Sequence, residues 1–158
     1  MTGVQTCALP ICAWLLERLR PRIPLLKDVR VTIRGECTFA PKLLHEDNAH
    51  EIPERVCFGF EAAHALRRLP AAHKCHTMHG HSFLVEVAAA RTDTLAPALQ
   101  LIYELLDHRC LNDVLQIENP TSEEAARWIW NKLIPYVKDL QMVSIAETCT
   151  SKCNYHGA

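Results

Sequence analysis

Histidine and cysteine side chains are concentrated in one short segment of this 158-residue chain. Residues 75–81 read Cys-His-Thr-Met-His-Gly-His. His79 and His81 are two positions apart, so on a β-strand their side chains project from the same face, roughly 7 Å apart along the backbone. Two imidazoles at this spacing can reach one metal ion, and Gly80 between them lets backbone and ligand approach closely. A turn with solvated imidazoles is the alternative.

A third metal ligand has to come from another part of the chain. His64 ends a segment in which Phe58 and Phe60 alternate with small residues, a pattern that favours a strand. A hairpin would bring this strand beside the histidine pair, and three histidines with an open fourth position are typical of a catalytic zinc site. The histidine pair also falls on the same face of the predicted strand as three apolar residues, and burying imidazoles there without a partner would cost free energy. These residues are Phe83, Val85 and Val87.

Other side chains could move protons or bind a substrate. Cys75 lies four residues before His79, and a nearby cation would favour its thiolate. Asp107 could orient His108 and raise its basicity, but only if the preceding helix has ended and the pair lies in a turn. Glu147 falls on the apolar face of a predicted strand, where its carboxylate could accept two parallel N–H groups of a guanidine-like ring. The alternatives are that Cys75 is a loop cysteine without a role, that Asp107 and His108 form a surface pair, and that the Glu147 carboxylate is solvated.

The remaining cysteines and histidines give weaker signals. Cys149 and Cys153 form a C-x3-C pair that could build a thiolate zinc site with Cys75, but the remaining ligand has no obvious source. No chemical role is assigned to the other histidines, which are His45, His50, His73, His76 and His156.

Apolar periodicity predicts the elements that must position these groups. The predicted order is strand, strand, helix, helix, strand, strand. This order favours an α+β fold with an antiparallel sheet and two helices on one face. Thr121 is a predicted N-cap with Glu124 completing a capping box, and Pro135 should kink or end that helix. The predicted ranges are a strand ending at His64, a strand over 79–90, a helix over 97–110, a helix from 121, and strands over 142–148 and 152–157.

The first third of the chain has a different character. Residues 1–12 are similar to translated sequencing-adapter text, which predicts an artefact; a genuine flexible tail is the alternative. Residues 13–56 form an extension of unassigned role, with a short helix predicted over 13–19 and one strand over 29–33. Residues 57–158 form the organised domain.

Composition limits the class of partner and the compartment. A formal net charge of −1 gives no electrostatic reason to expect a nucleic-acid or membrane partner. The most apolar N-terminal stretch, residues 7–16, is too short to span a bilayer, and its basic residues follow it, whereas a secretory signal has them in front. We therefore expect a cytoplasmic protein whose eight cysteines are reduced.

Taken together, these motifs resemble the 6-carboxytetrahydropterin synthase family, the bacterial relatives of 6-pyruvoyltetrahydropterin synthase. The likeness covers roughly residues 57–158, with the motifs in the family's order. Three residues between the cysteine and His-Gly-His are similar to the bacterial carboxy branch. The matching text is Phe60-Glu-Ala-Ala-His64, Cys75-x3-His-Gly-His-Ser-Phe83, Leu106-Asp-His-x2-Leu-Asn-Asp113, Asn119-Pro-Thr-Ser-Glu123, Trp128-Ile-Trp130, Glu147-Thr-Cys-Thr150 and Tyr155.

The resemblance implies a tunnelling fold, in which ββααββ subunits form a homo-oligomer with active sites at subunit boundaries. It also implies a lyase that converts 7,8-dihydroneopterin triphosphate to 6-carboxytetrahydropterin, acetaldehyde and triphosphate, on the route to queuosine. By motif position, Zn²⁺ would be bound by His64, His79 and His81. Cys75 would transfer a proton, Asp107 and His108 would form a second acid/base pair, and Glu147 would hold the pterin ring.

The chain departs from the family pattern after its second predicted strand. The connection from Ala88 to the following helix is about ten residues shorter than the family's, which predicts a truncated strand and a less stable assembly. A relative that keeps the fold without turnover and a pyruvoyl-type lyase are the alternatives to the carboxy lyase.

Overall fold

The computed structural model describes residues 8–29, 39–47, 52–148 and 150–157. The chain divides into two compact units, residues 1–35 and 36–158. In the first unit, helix α1 (Ala8–Leu19) includes the predicted short helix and begins five residues before it. The predicted strand over 29–33 lies outside the described residues except for Val29. The assignments of residues 1–12 and 13–56 stay predictions.

The second unit is built on a sheet that has six strands in the described part of the chain. Along the sheet the order is β1-β2-β3-β5-β6, with every neighbouring pair antiparallel, and the two-residue β4 pairs in parallel with β2. The predicted antiparallel α+β architecture is therefore confirmed. The strands are β1 (Lys42–Leu44), β2 (Arg55–His64), β3 (His79–Ala89), β4 (Arg109–Cys110), β5 (Leu140–Thr148) and β6 (Ser151–Tyr155).

Three helices lie between β3 and β5 in the sequence: α2 (Leu95–Leu106), α3 (Leu111–Leu115) and α4 (Ser122–Leu133). The predicted helix over 97–110 was wrong at its C-terminal end, since α2 stops at Leu106. Asp107 takes an extended conformation there, and the chain turns to pair with the edge of β2. Hydrogen bonds to the backbone of β2 replace those that a longer helix would have made. Within the residues described, no helix is both long and apolar enough to cross a membrane.

Helix α4 begins as its sequence predicts. Thr121 is the N-cap and its hydroxyl accepts a hydrogen bond from the backbone N–H of Glu124. The reciprocal half of the capping box does not form, because the Glu124 carboxylate pairs with Arg127 instead. The helix ends two residues before Pro135, and its buried face consists of Ser122, Ala125, Ala126, Ile129 and Leu133.

The hydrophobic core lies between the helices and one face of the sheet. Alternate residues of β2 and β3 point into it, as the period-two pattern requires. Full burial of each large apolar side chain contributes about 1.5–3 kcal/mol. Before β1, Phe39 packs against this core with its ring 5.5 Å from that of Phe58. The core residues of the two central strands are Val56, Phe58, Phe60, Ala62, Phe83, Val85 and Val87.

The opposite face of the sheet holds a buried carboxylate, Glu86, which is 6% exposed. Arg55 on β2 and Lys152 on β6 both donate hydrogen bonds to it, at 2.5 and 2.9 Å. Burial works against its ionisation, but these two bonds outweigh burial and hold the pKa of Glu86 below its usual value. The three charged side chains therefore link β2, β3 and β6 across this face of the sheet.

The short connection after β3 does not truncate the strand. β3 pairs with β2 through Val87 and with β5 through Ala89, where a bulge interrupts the ladder. Five residues then lead directly into α2, whose N-cap Thr94 makes no side-chain capping bond. β3 therefore keeps its pairing with both neighbouring strands up to the turn that leads into α2.

Candidate metal centre

Three histidines meet at the end of the core where β2 and β3 are paired. The antiparallel register places His64 directly opposite His79, and His81 opposite Ala62. The ring centroid of His64 lies 4.6 Å from that of His79 and 5.4 Å from that of His81. Two predicted strands in one hairpin register therefore bring the predicted third histidine to the pair.

The backbone fixes how two of these imidazoles are protonated. The Nδ1 atom of His64 lies 2.9 Å from the carbonyl oxygen of Pro120, and that of His79 lies 2.8 Å from the carbonyl oxygen of Thr77. A carbonyl can only accept, so each Nδ1 carries the proton and each Nε2 keeps its lone pair. Burial also lowers the pKa of His64, which favours its neutral form.

The three Nε2 atoms are the distinguishing feature of the centre. They are buried, and within the described structure none has a hydrogen-bond partner. Buried polar atoms without partners are rare because each costs desolvation free energy. The tautomers of His64 and His79 leave a lone pair on Nε2, and three imidazole nitrogens that converge in this way are a donor set that Zn²⁺ prefers.

A carboxylate completes the cluster. The Oε1 atom of Glu147 on β5 lies 3.1 Å from Nε2 of His81 and 3.7 Å from Nε2 of His64. Donor atoms from the three histidines and Glu147 all lie within 4.8 Å of one another. Nitrogen ligands bound to one ion at about 2.1 Å are roughly 3.4 Å apart, so small movements of the three histidine side chains would bring their Nε2 atoms to one ion, with Glu147 beside it.

The residue that orients this carboxylate was not identified from the sequence. Ser122 is 6% exposed at the start of α4, and its hydroxyl donates to Oε2 of Glu147 at 3.1 Å. Oε2 is thereby occupied while Oε1 faces the histidines. Ser122 is adjacent to the predicted N-cap, but nothing in a single sequence places that helix end beside β5.

The Asp107–His108 pair lies in a turn, as its proposed chemistry requires. Nδ1 of His108 is 2.7 Å from Oδ2 of Asp107, and Oδ1 accepts the backbone N–H of Glu61 at 2.9 Å. Partial burial works against ionisation of Asp107, but hydrogen bonds from Glu61, His108 and Tyr103 outweigh it and hold its pKa below the usual value. His108 and His81 line the same shallow cleft.

Cys75 lies in a single 3₁₀ turn, Lys74–His76, in the loop that leads to β3. Its thiol is half-buried. Its backbone N–H donates to Nδ1 of His73 at 3.1 Å, and its carbonyl accepts from the N–H of Leu66 at 2.8 Å. Between residues 52 and 148, no hydrogen bond joins the Cys75 thiol to the three histidines or to the Asp107–His108 pair. Among these described residues, Asp107 and His108 are hydrogen-bonded to each other, and no hydrogen bond links the Cys75 thiol to them.

The alternative thiolate site receives no support from Cys153. Burial, followed by the charge of Glu123, raises the pKa of this thiol and so favours the protonated form, which is the poorer metal ligand. Its predicted partner Cys149 lies outside the described residues.

Comparison with known proteins places the chain in a family. The family model for 6-pyruvoyl tetrahydropterin synthase matches residues 55–158. A 6-carboxy-5,6,7,8-tetrahydropterin synthase of Synechocystis is 39% identical over an alignment of 115 residues, which covers 62% of this chain and 88% of the relative. A 6-pyruvoyl tetrahydropterin synthase structure from Caenorhabditis elegans aligns with a TM-score of 0.58 and 21% identity, covering 80% of this chain and all of that one. An uncharacterized protein of Wolinella succinogenes aligns with a TM-score of 0.54 and 15% identity, covering 77% and 99%. This chain belongs to the 6-pyruvoyl tetrahydropterin synthase family.

Proposed function

We propose that this protein is a zinc-dependent lyase that converts 7,8-dihydroneopterin triphosphate and water to 6-carboxytetrahydropterin, acetaldehyde and triphosphate, on the route to queuosine. The observation that carries the proposal is the convergence, beside a carboxylate, of three buried Nε2 atoms that have no hydrogen-bond partner among the described residues. The 39% identical relative that bears the name 6-carboxy-5,6,7,8-tetrahydropterin synthase supports this product over the pyruvoyl product.

In this proposal His64, His79 and His81 would hold the ion through Nε2. When bound, zinc would polarise the oxygens of the substrate side chain and make the adjacent C–H group more acidic. Glu147 would accept the N–H edge of the pterin ring. The Ser122 hydroxyl supports that role because it holds the carboxylate at one oxygen and so fixes its plane.

Two groups would move the protons. Cys75, as a thiolate, would take a proton from the substrate side chain. His108 would act as the second acid/base group, with Asp107 keeping its Nδ1 protonated so that Nε2 is free to exchange a proton.

We infer that these groups meet between subunits of a homo-oligomer. The absence of a hydrogen bond between Cys75 and Asp107–His108 in residues 52–148 supports this inference, since a neighbouring chain could supply the pair. We also infer a cytoplasmic setting. All five cysteines whose pairing the structure describes are free, and a reducing compartment would keep the Cys75 thiol available.

The proposal is tested by analysing the products formed by the purified zinc-loaded protein from 7,8-dihydroneopterin triphosphate. We expect acetaldehyde, measured by its reduction with alcohol dehydrogenase and NADH, and 6-carboxytetrahydropterin, identified by mass, in equal amounts. Formation of a pyruvoyl pterin without acetaldehyde would replace this activity with that of the other branch. Absence of any product would make the chain a zinc-binding relative without turnover. Protein with His79 replaced by alanine is the matched control.

A further inference from the structure

We infer that Tyr103 is a positioning residue for the Asp107–His108 pair, an inference that rests on the acid/base role proposed for that pair. Tyr103 lies on α2 one helical turn before Asp107, so both side chains lie on the same side of the chain. Its hydroxyl donates to Oδ2 of Asp107 at 2.9 Å. The same oxygen accepts from Nδ1 of His108 at 2.7 Å.

The ring that carries this hydroxyl is locked in place. Tyr103 is 9% exposed and belongs to the hydrophobic core. Its ring centroid lies 5.5 Å from that of Phe39 and 6.4 Å from that of Phe58. The ring cannot swing without disrupting this packing, so its hydroxyl is held at the edge of the core. Phe39 precedes the stretch that matches the family, so a residue of the N-terminal extension supports the position of Tyr103.

His108 depends on Asp107 for its orientation. Its side chain is 66% exposed, so packing does not hold the imidazole. Its backbone has a φ of 55° and donates to the carbonyl oxygen of Glu61 at 2.6 Å, which places the residue but leaves the ring free to rotate. The Asp107 carboxylate is therefore the group that fixes the ring and keeps the proton on Nδ1.

The Tyr103 hydroxyl in turn fixes the carboxylate. Among the hydrogen bonds described, Oδ1 of Asp107 accepts only the Glu61 N–H. The carboxylate could rotate about that contact, and the hydrogen bond from the Tyr103 hydroxyl to Oδ2 limits this rotation. Among the described hydrogen bonds, removing the hydroxyl leaves Oδ2 of Asp107 with the His108 imidazole as its one partner. His108 should then populate the Nε2-protonated tautomer, in which the nitrogen that must take a proton already carries one. An imidazole in the wrong tautomer is a poor general base even where its geometry is kept.

The test compares Tyr103→Phe with wild type and with Tyr136→Phe, which removes a hydroxyl from a side chain that is 71% exposed. The tautomer of His108 is read from its imidazole ¹⁵N shifts, assigned with His108→Asn. For Tyr103→Phe we expect a shift from the Nδ1-protonated toward the Nε2-protonated form. We also expect about a tenfold lower kcat, a fraction of the 10²–10⁴-fold that general acid/base catalysis contributes. KM and zinc content should not change, and Tyr136→Phe should match wild type.

An unchanged His108 tautomer in Tyr103→Phe would overturn the inference, whatever happens to kcat. A changed tautomer with an unchanged kcat would overturn it as well, because the orientation of His108 by Tyr103 would then have no effect on turnover. If the wild-type protein forms no product, the proposed function fails by itself. The ¹⁵N measurement still decides whether Tyr103 orients the pair.

Discussion

Replacing Cys75 with alanine is expected to abolish turnover of 7,8-dihydroneopterin triphosphate while leaving one zinc ion per chain. A thiolate that takes the substrate proton contributes about 10²–10⁴-fold to the rate, and alanine offers no group in its place. The thiol lies in the loop before β3 and makes no hydrogen bond to the three histidines in the part of the chain described. Zinc binding and folding should therefore be kept. Turnover is measured by acetaldehyde release, and zinc by elemental analysis.

The matched control for this variant is Cys153→Ala, which removes a second half-buried thiol. Burial raises the pKa of the Cys153 thiol, so it is not expected to act as a base, and the control should keep wild-type activity. Loss of zinc in Cys75→Ala would contradict the assignment, because Cys75 would then be a fourth ligand of a closed structural site.

Replacing Glu147 with glutamine is expected to weaken pterin binding strongly with zinc unchanged. Glutamine offers one acceptor oxygen where the ring's N–H edge needs two, and its amide N–H groups would face the pterin's own donors. Breaking such a buried paired contact costs about 2–5 kcal/mol, which corresponds to roughly 30- to 4,000-fold in affinity. Calorimetry with a non-reacting pterin measures the change.

The control for Glu147 is Glu104→Gln, an exposed carboxylate on α2 whose replacement should leave pterin affinity unchanged. Glu147 also lies 3.1 Å from Nε2 of His81, so a second role is open to it. If Glu147→Gln loses zinc in proportion to pterin affinity, the carboxylate is a metal ligand and the assignment to the pterin ring is wrong.

The histidine cluster could be predicted from the sequence because the spacing that brings its side chains together is local. His79 and His81 share a face through the period of a strand, and a hairpin register then brings His64 opposite His79. The parity of Glu147 with the apolar residues of β5 likewise put its carboxylate on the core face. Such patterns depend on the backbone period alone, so they remain valid before the packing is known.

The contacts that orient these groups could not be predicted, since they depend on how distant elements dock. Ser122 reaches Glu147 only because the start of α4 packs beside β5. Tyr103 reaches Asp107 only because α2 ends one turn later and the chain pairs along β2. The end of α2 was misplaced for the same reason. The apolar periodicity of the sequence continues past Leu106, where the helix ends and the chain turns to pair with the edge of β2.

The assignment of zinc to His64, His79 and His81 is tested by the zinc content of His79→Ala. Elemental analysis of the wild-type protein should give one zinc per chain. His79→Ala should retain less than a tenth of that amount, because two histidines leave the ion without a third nitrogen ligand. His45→Ala, which removes an exposed histidine outside the cluster, should retain it in full. One zinc per chain in His79→Ala would contradict the claim that the three histidines form the metal centre.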